Sequence, residues 1–491
     1  MSLFEKFLTG SVDLFTDPMN ALLFVGGAIG GMLFGAIPGI SMLTLAAILL
    51  PFTAHLTAEQ GIMLYSVIYC TGVYGGAITA ILFNIPGAPE NAPTAFDGYP
   101  MTRKGQAGKA VGAAVMCSAF GGLCSALLMM FATEPIAKWA IRAFGPPEIF
   151  ALVFFGVAVA ASVGASSLWR GWLSVCLGLM VAIVGLDPVG GIPRYDFGSP
   201  YLLAGIHFIP TILGFFAVSE IFIQAEKKAR GTYVAPKVSI DFPSFLEFWR
   251  LKFVVARSLV IGFFCGILPG IGATLAAFMS YNEAVRWSKD KSKFGKGALE
   301  GVVSSETANN AATGAAMIPL LALGLPGGAL TAMMVGVFQM HDMEPGPLVF
   351  VNSADLVWVV YAAMFWANLG ILLIGYIEIK TVLHLLRVPF HFLAPLILIL
   401  ASVGAYAVRG LTIDILVMFI AGIVLGLILG EIGERNFAQA MQMLHYEGSG
   451  WLGRPVAMLL LFAGALTMMV SIYQSLHRKP LVSGAEATVD K

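Results

Sequence analysis

Apolar runs about the length of a bilayer crossing recur along this chain from end to end. A helical span needs roughly 20 apolar residues. Such runs fall at about 61–83, 107–132, 147–168, 171–186 and 204–226, and again at about 298–324, 355–378, 389–408, 411–430 and 451–474. The chain therefore reads as an all-α polytopic membrane protein. Composition agrees. Of 491 residues, 58% are hydrophobic and 11% charged, against roughly 25% charged in a soluble domain. The formal net charge is zero, so the total says nothing about an acidic or basic partner; the lipid bilayer is the surrounding medium, and no nucleic-acid partner is expected.

Two further apolar regions, 20–53 and 252–282, are broken in the middle by "GAIPGI" (35–40) and "GILPGI" (266–271). Proline removes an intrahelical hydrogen bond and clashes with the preceding turn. Each region therefore reads as a helical hairpin or discontinuous helix. The order of features repeats. Gly61–Gly87 can be laid on Gly301–Gly327 without a gap, which sets "NIPG" (84–87) on "GLPG" (324–327). Two such pairs in one register read as an internal duplication.

Loop charge gives its sense. The loop near 54–60 has no Lys or Arg, while its counterpart carries Arg286, Lys289, Lys291, Lys293 and Lys296. Conversely, Arg103, Lys104 and Lys109 follow "NIPG", while 325–353 has no basic residue. Residues before the first hairpin offer only Lys6, against Lys227, Lys228, Arg230, Lys237, Arg250 and Lys252 before the second. By the positive-inside rule the halves have opposite topology. The expected organisation is two inverted-topology repeats, 1–230 and 251–476, each of about five transmembrane helices plus a PG-broken hairpin. A cytoplasmic linker (231–250) joins them, a polar tail (477–491) follows, and both termini face the periplasm. Lys138 with Arg142, and Arg478 with Lys479, fall on the predicted outer side as exceptions. The first residues read as a short amphipathic helix at the membrane, not as a cleavable signal peptide.

Broken helices inside a bilayer leave backbone groups that protein or water must satisfy. A helix N-terminus after such a break offers amides and a positive dipole end to an anion. Gly39, Ile40, Ser41, Gly270, Gly272 and Thr274 are thus candidate substrate-binding residues, with Asn84, Gly87, Gly327 and Gly328 at the second pair of breaks. The plainer alternative is that the breaks are kinks that aid packing. In "SSETANNAATG" (304–314), Glu306, Asn309, Asn310 and Thr313 lie at i, i+3, i+4 and i+7 and share one helix face. A central acid costs about 2.5–3.5 kcal/mol on the insertion scale, and oxygen ligands suit a hard cation. These four are candidate ligands for a coupling cation, Na+ or H+. A buried hydrogen-bond network between helices is the alternative. The stretch Asn84–Ala110, with Glu90, Asn91 and Asp97, reads either as a cytoplasmic loop or as a break at membrane depth.

Other chemistry is not signalled. P-loop, HExxH and GxSxG patterns are absent, and the seven His are scattered. The five Cys fall in apolar runs and form no CxxC, so they read as small buried hydrophobes with neither a disulfide framework nor a zinc site. No catalytic residue, cofactor or resident metal is expected beyond the coupling cation.

The combination "GAIPGIS", "YGGAITAILFNIPGAPENAPTAFDGYPMTRKGQAGKA", "SSETANNAA", "LGLPGGALTAMMVG" and "EPGPLVF" resembles the large membrane subunit of the tripartite tricarboxylate transporters, the TctA family. The resemblance implies a bacterial inner-membrane permease working with a small TctB-like membrane subunit and a periplasmic TctC-like solute-binding protein. It implies carboxylate substrates such as citrate, and uptake driven by an ion gradient, commonly sodium. The family's PG breaks and polar run map to Pro38–Gly39, Pro269–Gly270, Glu306, Asn309 and Asn310, with Ser305 where proline is expected in many relatives. An anion channel, or a permease for another small organic acid, is the alternative function.

Overall fold

Asp17 accepts hydrogen bonds from Met19 N (2.7 Å) and Asn20 N (3.0 Å), with Pro18 at the first helical position. This capped start is where the bundle begins. The structure is a computed structural model. It describes residues 3–37, 41–84, 86–143, 145–163, 176, 178–187, 191–218, 221, 245–268, 272–385, 390–420, 456–463, 465–466 and 469. In the first part of the chain the helices are α1 (Leu3–Thr16), α2 (Pro18–Ala36), α3 (Met42–Leu49), α4 (Ala58–Phe83), α5 (Ala92–Arg103), α6 (Ala107–Ala143), α7 (Pro146–Val163) and the short α8 (Phe208–Ile212). Then come α9 (Lys252–Ile267), α10 (Gly272–Trp287), α11 (Leu299–Leu323), α12 (Ala329–Met340), α13 (Ala354–Leu385), α14 (Phe390–Arg409) and α15 (Thr412–Ile420). The expected linker from 231 to 244, the tail from 477 to 491, and parts of the spans at 147–168, 171–186, 204–226, 411–430 and 451–474 lie outside the described residues.

Two helices form the centre. Every residue of α4 from Gly61 to Leu82 is buried, as is every residue of α11 from Gly301 to Ala322. A helix apolar all round belongs in a core, which accounts for α4. Helix α11 is buried despite its polar stripe, so that stripe must find partners inside the protein. The two helices run in opposite directions. The end of α4 and the end of α5 meet where Thr102 Oγ1 donates to Ile81 O (2.8 Å). At that same end Asp97 of α5 accepts from Gly297 N and Ala298 N (both 2.8 Å), at the start of α11, and from Tyr281 Oη (2.9 Å). At the other end Thr53, just before α4, lies against Met340 at the end of α12 (3.6 Å).

Close packing uses small residues, as expected where lipid tails are as apolar as the helix surface. Helix α9 lies so near α11 that a Cβ at Gly266 would fall 2.6 Å from Ala315 Cβ. Apolar side chains point outward, among them Phe253 and Phe264 on α9 and Leu22 on α2. The helices Pro18–Ala36, Ala58–Phe83 and Ala107–Ala143, and residues 354–375 of α13, are long and apolar enough to cross a membrane.

The structure departs from the sequence reading in several places. Helix α6 continues to Ala143. Lys138, expected in a loop, sits on it and pairs with Glu134 one turn back (2.7 Å). The expected span at 171–186 ends in a two-stranded hairpin, Gly185–Leu186 paired with Pro193–Arg194. Gly185 has φ +121°, which a helix cannot hold. In the 204–226 span, Gly205 (φ +75°) delays the helix until Phe208. Cys176 is exposed, not buried, although the other four cysteines are buried or partly buried and all five are free. Helix α1 is docked on α13: Leu14 is fully buried and Trp366 Nε1 donates to Ser11 Oγ (3.1 Å).

Candidate functional site

Asn84–Ala110 is neither an open loop nor a bare break. Asn84 ends α4 in the left-handed conformation (φ 57°). A 3-10 turn, Pro89–Asn91, then leads directly into α5. This turn and the start of α5 bring Glu90, Asn91 and Thr94, all buried, against α11.

The polar stripe of α11 meets them. Glu306 is fully buried. Thr94 Oγ1 donates to its Oε1 at 2.5 Å, Ser118 Oγ of α6 to Oε2 at 2.8 Å, and Asn309 Nδ2 to Oε1 at 3.2 Å. Asn309 Nδ2 also reaches Glu90 O at 3.5 Å. Asn310 Nδ2 donates to Cys70 O of α4 (3.1 Å), and Thr313 Oγ1 donates to Asn310 O (2.8 Å) and lies 3.8 Å from Cys70 Sγ. Asn91 Nδ2 donates to Val73 O (2.8 Å), one turn further along α4. All four stripe residues therefore face protein, with three further helices supplying partners.

The amides are only half satisfied. Asn91, Asn309 and Asn310 are each fully buried, and the Oδ1 of each has no hydrogen-bond partner. An orphaned buried acceptor costs about 1–3 kcal/mol. The amide oxygens of Asn91 and Asn309 stand by the Glu306 carboxyl and the Thr94 hydroxyl, with Asn310 and Thr313 one to two turns further along α11; oxygen groups of this kind suit a hard cation. Among the described residues no three His, Cys, Asp or Glu converge, so a thiolate or imidazole site of the zinc type is not built there.

The proposed anion-binding positions are divided. Gly39, Ile40 and Gly270 lie outside the described residues. Ser41 caps α3, its N–H meeting Thr44 Oγ1 at 3.5 Å. Asn84 is exposed, and the Gly87 N–H is taken by Gly76 O (3.2 Å). Gly272, Gly327 and Gly328 do come together. A Cβ on Gly272 would lie 3.4 Å from Gly327 O, and one on Gly328 would lie 3.7 Å from Tyr69 Oη. Gly328 N–H is satisfied by Thr331 Oγ1 (2.8 Å), so that break closes its own amide. Thr274 faces the Glu90 carboxyl. The breaks of the second half thus meet Tyr69 and Glu90 of the first.

Sequence reasoning missed Thr94, Ser118 and Tyr69, and named Asn91 only as part of a stretch. Asn91 was signalled by its place among polar residues in a Pro- and Gly-rich segment between two apolar runs. Ser118, in an Ala-rich helix, carries no signal of its own.

An apolar helical bundle with a carboxylate and amides at its buried centre defines a multi-pass membrane protein with an oxygen-lined interior. Residues 21–437 match the Tripartite tricarboxylate transporter TctA family, and the chain belongs to it. It is therefore a transporter component, the subunit of a tripartite tricarboxylate transporter that this family supplies. It is similar to an Agrobacterium vitis protein described as an uncharacterized 52.8 kDa protein in the TAR-I ttuC' 3' region, with 34% identity over 477 residues covering 94% of this chain and 95% of the relative. It is also similar to an uncharacterized protein in the TAR-II ttuC' 3' region of the same organism, with 32% identity over 233 residues covering 44% of this chain and 96% of that relative. No solved structure matches it.

Proposed function

We propose that this chain is the permease of an ion-gradient-driven importer of small carboxylates such as citrate, resident in the bacterial inner membrane. A TctB-like small membrane subunit accompanies it, and a TctC-like periplasmic binding protein delivers the substrate. The observation that carries the reading is the buried Glu306 with orphaned amide oxygens beside it: a binding centre for a cation, Na+ or H+, made by Glu306, Asn309, Asn310 and Thr313. Carboxylate binding is assigned to the breaks, with Ser41, Gly272, Thr274, Gly327 and Gly328 the described residues best placed and Gly39, Ile40, Asn84, Gly87 and Gly270 completing the set.

The architecture behind this reading is two inverted repeats, 1–230 and 251–476, joined by a linker over 231–250. Supporting it, α4 and α11 are antiparallel, each is followed by a left-handed residue (Asn84, Gly324), and each leads to a short helix, α5 or α12. The basic segments also gather at one end. Lys104 Nζ donates to Lys296 O (2.5 Å) and Lys109 pairs with Glu247 (2.5 Å). Movement of one part relative to the other would alternate access.

An ionised Glu90 beside Thr274 would oppose an approaching anion unless positive charge sits nearby. Cation binding before substrate is the order this favours. The test uses proteoliposomes holding this chain and its small membrane partner, with binding protein and radiolabelled citrate added. An inward sodium gradient, a proton gradient or neither is imposed. Accumulation only under a gradient supports the reading and names the ion. Equilibration without a gradient identifies a channel and overturns it.

A further inference from the structure

The four cation ligands proposed above all sit on α11, yet a third side-chain amide reaches the same centre from another element. We propose that Asn91, on the turn between α4 and α5, is also a ligand of this cation and clamps that turn onto α11 when the ion is bound. The inference rests on the Glu306 reading.

Asn91 is fully buried, and its Nδ2 is committed to Val73 O. Its Oδ1 is thereby turned away from α4's carbonyl and has no donor. The wall beside that oxygen is Gly76, where any Cβ would fall on the Asn91 Oδ1. The missing Cβ of Gly76 is what lets this oxygen sit there. The Asn91 side-chain amide adjoins the Glu306 carboxyl. Its neighbours on the turn touch the same centre: Glu90 O receives Asn309 Nδ2, and Thr94 donates to Glu306. Asn310 is bonded to Cys70 O, one turn from Val73 on the same face of α4.

A single proton can satisfy one acceptor. A metal cation coordinates several oxygens at once, and it is the species that would relieve orphaned oxygens on Asn91 and Asn309 together. Because Asn91 belongs to the first half of the chain and Glu306 to the second, the bound ion would join elements far apart in sequence. An ion-free site would leave the Asn91 side chain held through Nδ2 alone, beside the turn's other ties at Gly87, Glu90 and Thr94.

The alternative is that Asn91 is a tie to Val73 and nothing more. The two roles use different atoms, so two substitutions separate them. Asn91→Ala removes both the oxygen and the amide donor. Asn91→Asp keeps an oxygen and loses the donor. The full-length chain, purified in detergent, is titrated with sodium chloride, with choline chloride holding ionic strength, and the thermal unfolding midpoint is followed. The wild-type midpoint is expected to rise with sodium, and Glu306→Gln is expected to lose the rise. Asn91→Ala is expected to need about ten- to a hundredfold more sodium, the range seen when a metal site loses a supporting partner. Asn91→Asp is expected to respond at wild-type sodium or less, because its oxygen remains and carries charge. A wild-type sodium response in Asn91→Ala overturns the proposal alone. So does loss of the response in Asn91→Asp, which also decides the matter if the alanine variant does not fold. A wild-type chain with no sodium response overturns the Glu306 reading as a metal-cation site and this proposal with it.

Discussion

At the residue scale, the centre of this protein is governed by which polar atoms are left over. Asn310 holds Cys70 O through its amide nitrogen and has no partner for its oxygen. Replacing it with Ala leaves that carbonyl without its side-chain donor and removes one proposed cation oxygen. Uptake by Asn310→Ala is expected to fall to background while the protein remains in the membrane, measured as citrate uptake alongside membrane abundance by immunoblot. Uptake at the wild-type level would remove Asn310 from the site. The stripe from Glu306 to Thr313 was legible because charged and amide side chains are costly in an apolar run and must earn their place. Thr94 and Ser118 were not legible. Short hydroxyl side chains are common in buried helices, and only proximity to Glu306 gives them a role.

At the element scale, the ends of α4 and α11 set where the chain turns inside the bundle. Asn84 and Gly324 both hold positive φ (57° and 75°). Gly324 N bonds Leu320 O and Leu325 N bonds Pro319 O, each at 3.0 Å, so the last carbonyls of α11 are satisfied before the chain leaves. A β-branched residue resists this conformation by about 1–2 kcal/mol. Asn84→Val is therefore expected to lower the thermal unfolding midpoint and Asn84→Gly to leave it nearly unchanged. Equal midpoints for the two would show that the left-handed end of α4 does not matter. Helix α5 was the element least visible in sequence. Pro93, Gly98 and Pro100 within "APTAFDGYPMTR" argue for a loop on propensity. Packing against α4 and α11, and Asp97 held by three donors, override that preference.

At the scale of the whole molecule, charge and direction decide the orientation in the bilayer. The basic loop between α10 and α11 and the basic start of α6 share one end, and the turn after α12 lies at the other. In a background where the exposed Cys176 is changed to Ser, Asp342→Cys is expected to react with a membrane-impermeant maleimide added outside intact cells. Ser292→Cys is expected to react only after the membrane is opened. Both positions are exposed. Labelling of both from outside would refute the predicted orientation.

Sequence alone determined that this chain lives in a membrane, that the apolar runs at 61–83, 107–132, 298–324 and 355–378 are helices, and that Glu306 and its neighbours sit on one costly face. Those follow from local chemistry: apolar length, helical period and the price of a charge in hydrocarbon. Only the tertiary structure decided that this face meets Asn91, Thr94 and Ser118, that Gly272 lies beside Gly327, and that the Gly328 amide is already taken by Thr331. The contacts of the Glu306 face join residues about 190 to 240 positions apart in sequence, such as Ser118 with Glu306 and Cys70 with Asn310. They are set by how antiparallel central helices pack, which no short stretch of the chain encodes.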